Sequence, residues 1–115
     1  MKFMDELLDE AILFRQELQH CIEPFGIPIE DFENAGAAGI YELHEQQTQF
    51  EESTFANEIH ARIDYVPLEV VRAMCLASGY LLVGLSMIKE EREQAVSFLM
   101  HAASNLGFIR GMAFG

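Results

Sequence analysis

Hydrophobic residues recur along this chain at steps of three and four, the spacing that lines one face of a helix. Between residues 3 and 22 the rhythm is carried by Met4, Leu7, Ala11, Phe14, Leu18 and Cys21. Asp5, Glu6, Asp9, Glu10, Gln16, Glu17 and Gln19 fill the opposite side. The early acids suit the positive end of the helix dipole. Leu8, Ile12, Leu13 and Ile22 widen the apolar stripe, so this helix is expected to touch two neighbours. Pro24 and the Gly26-Ile27-Pro28 turn end it.

The rhythm resumes at Ile29, Phe32, Gly36, Gly39, Leu43, Gln46 and Phe50, which predicts a second helix from about residue 29 to 52. Its middle, Ala35-Gly36-Ala37-Ala38-Gly39, is poor in side chain, and each glycine costs roughly 1 kcal/mol against alanine. Either the glycines break the helix or they admit a neighbour at close range. Because the apolar rhythm runs through them, close approach is the expectation. Ser53 or Thr54 can then N-cap a short helix that places Phe55, Ile59 and Ile63 on one face.

The run from Pro67 to Ile88 carries no charge after Arg72. A helix that is apolar on all sides must be buried on most of them. It would be about 33 Å long, in a globule roughly 34 Å across, so the other segments must wrap it. Pro67 suits its first turn. The uncharged part, 73–88, is shorter than the ~20 residues of a membrane span, and Arg72 and Lys89 close it, so it reads as a core helix. Leu82, within it, is expected to be core, with Leu82→Asp strongly destabilising.

After the charged turn Lys89-Glu90-Glu91-Arg92-Glu93, a last helix buries Leu99, Ala102, Leu106, Ile109 and Ala113. It stops at Gly107 or runs to about 112. Ala103, Gly107 and Gly111 form a second, side-chain-poor face. The fold expected is all-α: one domain over residues 1–115, four to five helices around the buried helix at about 67–88, with no β-sheet.

Tyr80, Val83, Gly84 and Met87, followed by Ala95, Leu99 and Ala102, give the hairpin at 73–107 a pattern of aromatic, small and large positions. This resembles one tetratricopeptide or Sel1-type repeat with its turn one residue short. The family's proline after the second helix is replaced by Phe108 and Ile109. Such repeats work in sets of about three, and residues 1–66 do not align to the pattern. The resemblance implies hairpin packing and a peptide- or protein-binding role.

Charge and composition narrow the classes of partner. Half the residues are hydrophobic, too many for a disordered chain. The net charge of −12, without a basic cluster, excludes nucleic-acid binding through phosphates and docking on anionic lipid. It suits solubility or a basic protein or peptide partner. Cys21 and Cys75 are far apart in apolar patterns, which reads as two reduced, buried thiols in a cytoplasmic protein. Asp5 and Glu6 interrupt any early apolar run, so no signal peptide is expected.

Candidate chemistry is sparse. Glu17-Leu18-Gln19-His20 has the Glu-x-x-His spacing of di-iron bundles, but those need a second copy and two further glutamates. His44 and His60 lie near Glu42, Glu45 and Glu58 and read as solvated histidines; His101 reads as a boundary residue. No close pair among His20, Cys21, His60 and Cys75 has zinc-finger spacing. Ser78, Ser86 and Ser97 lie within helices, and Glu90, Glu91 and Glu93 form a solvated turn. No catalytic residue, cofactor or metal site is expected.

The reading is therefore a non-catalytic, acidic binding or accessory protein and a homodimer. Its partner would be an apolar segment held as by a chaperone, a basic toxin met as by an antitoxin or immunity protein, or a target inhibited by mimicry of nucleic acid. The apolar tail supplies the interface candidates Gly107, Phe108, Ile109, Gly111, Met112 and Phe114. Deleting 108–115 is expected to split the dimer while leaving the fold. The rival is a small-molecule binder or metal-dependent enzyme with its site in the bundle core.

Overall fold

The steps of three and four become five helices in the computed structural model, which describes residues 2–47, 49 and 52–114, with the side chains of 2–5, 7 and 112–114 outside that description. Helix α1 spans Lys2–Ile22. A single 3-10 turn, Glu23–Phe25, follows it and closes at Gly26, whose φ of 72° is the left-handed conformation that glycine adopts without strain. Then come α2, Ile29–His44; α3, Asn57–Arg62; α4, Leu68–Met87; and α5, Arg92–Phe114. No strand occurs among the described residues. This is the all-α bundle organised around one central helix, and α4 is that helix.

Every residue from Val70 to Leu81 is buried. Pro67 stands just before the helix, and its carbonyl accepts the Val70 and Val71 N–H groups at 3.0 and 3.2 Å. Beyond Leu81 burial becomes one-sided: Gly84 and Ile88 are buried, whereas Leu82 and Ser86 are exposed. The expectation for Leu82 is thus corrected. It is 39% exposed, while Leu81 is 1% exposed. A run apolar on every side does not say which residue falls on the one open side. Although α4 is long and apolar enough to cross a membrane, 72% of its apolar window is buried within the chain.

Helix α2 crosses α4 through glycine. A Cβ on Gly36 would stand 2.8 Å from the Gly79 Cα and overlap the Cys75 carbonyl. On Gly79 it would fall 2.6 Å from the Ala37 nitrogen. The two backbones touch, so the close-approach reading of the glycine-rich segment is correct. Gly39 serves a different neighbour, since a Cβ there would meet the Phe55 ring at 2.6 Å.

α2 ends at His44, not near residue 52. Gln46 lies outside the helix, Gln47 takes a positive φ of 56°, and Phe50 is outside the described residues. The chain reverses and returns along α2, where the Thr54 N–H donates to Glu42 Oε1 at 3.2 Å. Neither Ser53 nor Thr54 caps α3: its N-cap is Ala56, which makes no side-chain cap bond. Ser53 is instead buried, and its carbonyl accepts a 3.0 Å bond from Nη2 of buried Arg72. The Arg72 that seemed to close the central helix lies within it. Ile59 and Ile63 are buried, as the shared face requires, and Phe55 is half-buried.

α5 folds back along α4 after a turn in which the Glu90 and Glu91 N–H groups donate to the Met87 carbonyl at 3.2 and 2.8 Å. Ala95, Leu99, Ala102, Leu106 and Ile109 are buried. The helix runs through Gly107, because Leu106 and Ile109 on either side of it anchor this turn in the core. In α1, Ala11, Leu18 and Ile22 are buried and Phe14 half-buried. Of the residues that widen the apolar stripe, Ile22 is buried while Leu8, Ile12 and Leu13 are exposed, and α1 does touch more than one neighbour, α4, α5 and α2. Polar pairs add to this packing: Arg15 reaches Glu33 on α2, and Glu17 pairs with Arg110 on α5.

Candidate functional site

Tyr80 lies in the fully buried stretch of α4 and is 5% exposed. A buried phenol needs a hydrogen-bond partner, and the Tyr80 hydroxyl lies 2.8 Å from Nε2 of His44, the last residue of α2. α5 supplies two more rings. Phe98 meets Tyr80 edge-on with centroids 5.5 Å apart, and His101 stacks on it at 5.0 Å and 25°. Burial raises the Tyr80 hydroxyl above the ordinary tyrosine value. The phenol therefore stays protonated and shares a hydrogen bond with Nε2, its direction set by the tautomer of the His44 ring. Three helices thus meet at one aromatic corner.

Beside this corner opens a groove of about 420 Å³ lined by Ile40, Tyr41, His44, Met87 and Phe98, with Glu45 and Gln94 also on its wall. Tyr41 is 58% exposed there. Three wider depressions lie elsewhere. One at the α1–α2 corner, about 590 Å³, includes His20 and Ile27; one of about 720 Å³ between α2 and α3 includes Asn34 and Phe55; and one of about 610 Å³ is lined by Glu90, Glu91, Arg92, Glu93 and Gln94. A narrower one of about 290 Å³ lies between Glu69 and Ala73 on α4 and Asn105 and Phe108 on α5.

The histidines expected in solvent divide. His20 is exposed with Gln16 and Gln19 nearby in its depression. His44 is largely exposed, yet its Nε2 is committed to Tyr80. His60 is half-buried and lies 3.0 Å from the Val66 carbonyl, which can only accept, so its Nε2 carries a proton. His101 is exposed at its edge and uses its face on Tyr80. The clue in the sequence was Tyr80 itself, a lone hydroxyl-bearing ring in an apolar helix that needs a polar partner from elsewhere. Phe98 carried no such clue.

A half-buried ion pair also escaped the sequence reading. Glu33 is 6% exposed and takes a bidentate pair from Arg15, Nε to Oε2 at 3.0 Å and Nη2 to Oε1 at 3.3 Å. That hydrogen bond raises the Arg15 guanidinium against the opposing effect of burial. The signal was present: Glu33 follows Phe32 and stands four residues after Ile29, on an apolar face where a carboxylate requires a cation.

The other candidates take plain roles. Glu17 of the Glu-x-x-His motif pairs with Arg110. No three His, Cys, Asp or Glu side chains converge to hold a metal among the described residues. Cys75 is buried and Cys21 only half-buried, which corrects the expectation of two buried thiols. Burial pushes the Cys75 thiol up to about 12. Burial, with help from Glu17, raises Cys21 against the pull of Arg110. The Ser78 hydroxyl is buried without a hydrogen-bond partner among the described residues.

Of the interface candidates, Gly107 and Gly111 are exposed with open space above them, and Phe108 is 44% exposed. Ile109 is 0% exposed in the single chain, so it belongs to the core and not to an interface. The side chains of Met112 and Phe114, and that of Ala113 in the buried rhythm, lie outside the described residues. No protein-family model, no curated protein and no solved structure matches this chain.

Proposed function

We propose that this chain is a non-catalytic, acidic accessory protein that binds another protein or peptide and also associates with itself. The observation that carries the reading is the surface, where large apolar side chains stand exposed on a chain of charge −12. Leu13, Tyr41, Tyr65 and Met100 are each more than half exposed. Scattered single residues of this kind are ordinary. Tyr41, however, sits on the wall of the groove that Phe98 and Met87 also line. The repeat-like hairpin of α4 and α5 supports the same class of function, and the acidic surface favours a basic partner.

Self-association is assigned to the outer face of α5, where Gly107 and Gly111 offer room and Phe108 offers apolar surface. Deleting 108–115 is a poor test, because it would remove Ile109 from the core. Gly107→Lys paired with Gly111→Lys is the better one, since a Cβ at either position meets nothing within 4 Å. Sedimentation equilibrium should give a dimer for the native chain and a monomer for the double variant. Affinity purification from the native host at moderate salt should retain a protein in fixed stoichiometry. A monomer at high concentration that retains nothing contradicts the proposal.

A small-molecule binder is the second reading, favoured by the His44–Tyr80 pair beside the groove. It predicts ligand-dependent shifts of the His44 and Tyr80 ring resonances in a fragment screen by nuclear magnetic resonance.

A further inference from the structure

Resting on the binding reading, we infer that the groove between the C-terminal end of α2 and the start of α5 is where a partner docks, and that the partner presents a basic segment with one large apolar anchor. The size of the groove sets the anchor. At about 420 Å³ it lies at the small end of ligand sites, enough for one anchoring side chain and not for a buried helix. Its wall is apolar and aromatic: Ile40, Tyr41, Met87 and Phe98. Tyr80 lies beneath, and its contacts to His44 and Phe98 hold two of the wall residues in place. The site is therefore built before any partner arrives.

Charge sets the flanks. Glu45 stands at the α2 side of the groove. On the α5 side, Gln94 is shared between the groove and the depression lined by Glu90, Glu91 and Glu93. All four acids are exposed. The nearby cations are Lys89 and Arg92, so the rim is net negative. A Lys or Arg on either side of the anchor would meet these carboxylates, and the open face of Tyr41 can also receive a cation. An acidic or purely apolar segment would gain neither contact. The occupant is thus a basic peptide segment of another protein. A second copy of this chain is assigned instead to the face of α5 at Gly107 and Gly111, and its net negative charge would not complement this rim.

The test is selection of random displayed peptides on the immobilised native protein, followed by anisotropy titration of the synthetic winner. Enriched peptides should carry Phe, Leu or Met beside Lys or Arg. Binding should weaken with added salt and fall by at least about tenfold in Tyr41→Ala, as when an aromatic anchor is truncated at an interface centre. Glu45→Lys should weaken it as well. Both positions are exposed, and circular dichroism should show both variants folded. Tyr65→Ala, at the opposite end of α4, should bind as the native chain does. Peptides that bind but ignore Tyr41→Ala and Glu45→Lys overturn this site while leaving the binding reading standing. Selection that enriches nothing, or enriches acidic peptides, also overturns it. The stoichiometric partner in the native host, or its absence, judges the broader reading separately.

Discussion

α4 packs in two contrasting ways. Toward α2 it presents Gly79, and the two backbones touch with no side chain between them. Toward the start of α5 it presents Tyr80, and the space is filled by rings from three helices. Contact through glycine is close, dry and rigid, because backbone cannot rotate out of the way. Contact through aromatics leaves an irregular margin and exposes polar edges, which is how a groove with His44 on its wall arises. One helix therefore supplies both the clamp of the fold and the floor of its candidate site, at adjacent residues.

The hardest blow to the clamped side is Leu81→Asp, which places an unpaired charge among buried neighbours. It should cost about 4–5 kcal/mol, in the range reserved for buried uncompensated charge. Leu82→Asp, on the exposed side, should cost less than about 1 kcal/mol. Urea denaturation of both variants checks the difference, and equal losses would place the open side of α4 elsewhere.

Gly79→Ala and Gly84→Ala sharpen the comparison with a single chemical change. At Gly79 the added methyl strikes α2 backbone, so the loss should be about 3 kcal/mol, the upper end of overpacking. At Gly84 it meets the flexible Leu99 side chain at 3.2 Å. The gain in helix propensity, roughly 1 kcal/mol, then offsets most of the strain. Thermal melts should separate the two variants by many degrees.

The buried thiol beside the glycine crossing has a pH signature. The Cys75 value is raised in the folded state from 9.0 to about 12, so the stability it contributes is complete below pH 9 and lost as the pH climbs to about 12. The slope is at most about 1.4 kcal/mol per pH unit. Cys75→Ala should flatten the decline of urea midpoints over this window whatever its effect at neutral pH. In the native chain, a thiol reagent should modify half-buried Cys21 well before Cys75.

The smallest effect is expected on the aromatic side. Tyr80→Phe keeps the ring contacts and removes the hydrogen bond to His44, for a loss of about 1 kcal/mol. The His44 ring resonances should then move in nuclear magnetic resonance spectra, while the packing of Phe98 persists. A change as large as that of Gly79→Ala would mean that the hydroxyl, and not the rings, holds this corner.

Periodicity, with the prolines and the charged turn that punctuate it, carried the helical class, the start of each long helix, the buried stripe of α5 as far as Ile109 and the use of Gly36 for close approach. Each depends on signals local to one helix: residues three and four apart share a face whatever surrounds them, and a proline or a charged turn marks where the next helix begins. The tertiary structure decided matters of pairing: that Gly36 meets Gly79, that Tyr80 finds His44 and His101, and that Glu33 finds Arg15. It also decided that Leu82 lies open while Leu81 is buried, and that Ile109 belongs to the core. These contacts join residues far apart in the chain, and they depend on how helices cross, which no local rhythm encodes. Where a helix is apolar on every side, the pattern gives no direction at all, and only its neighbours choose which side remains open to solvent.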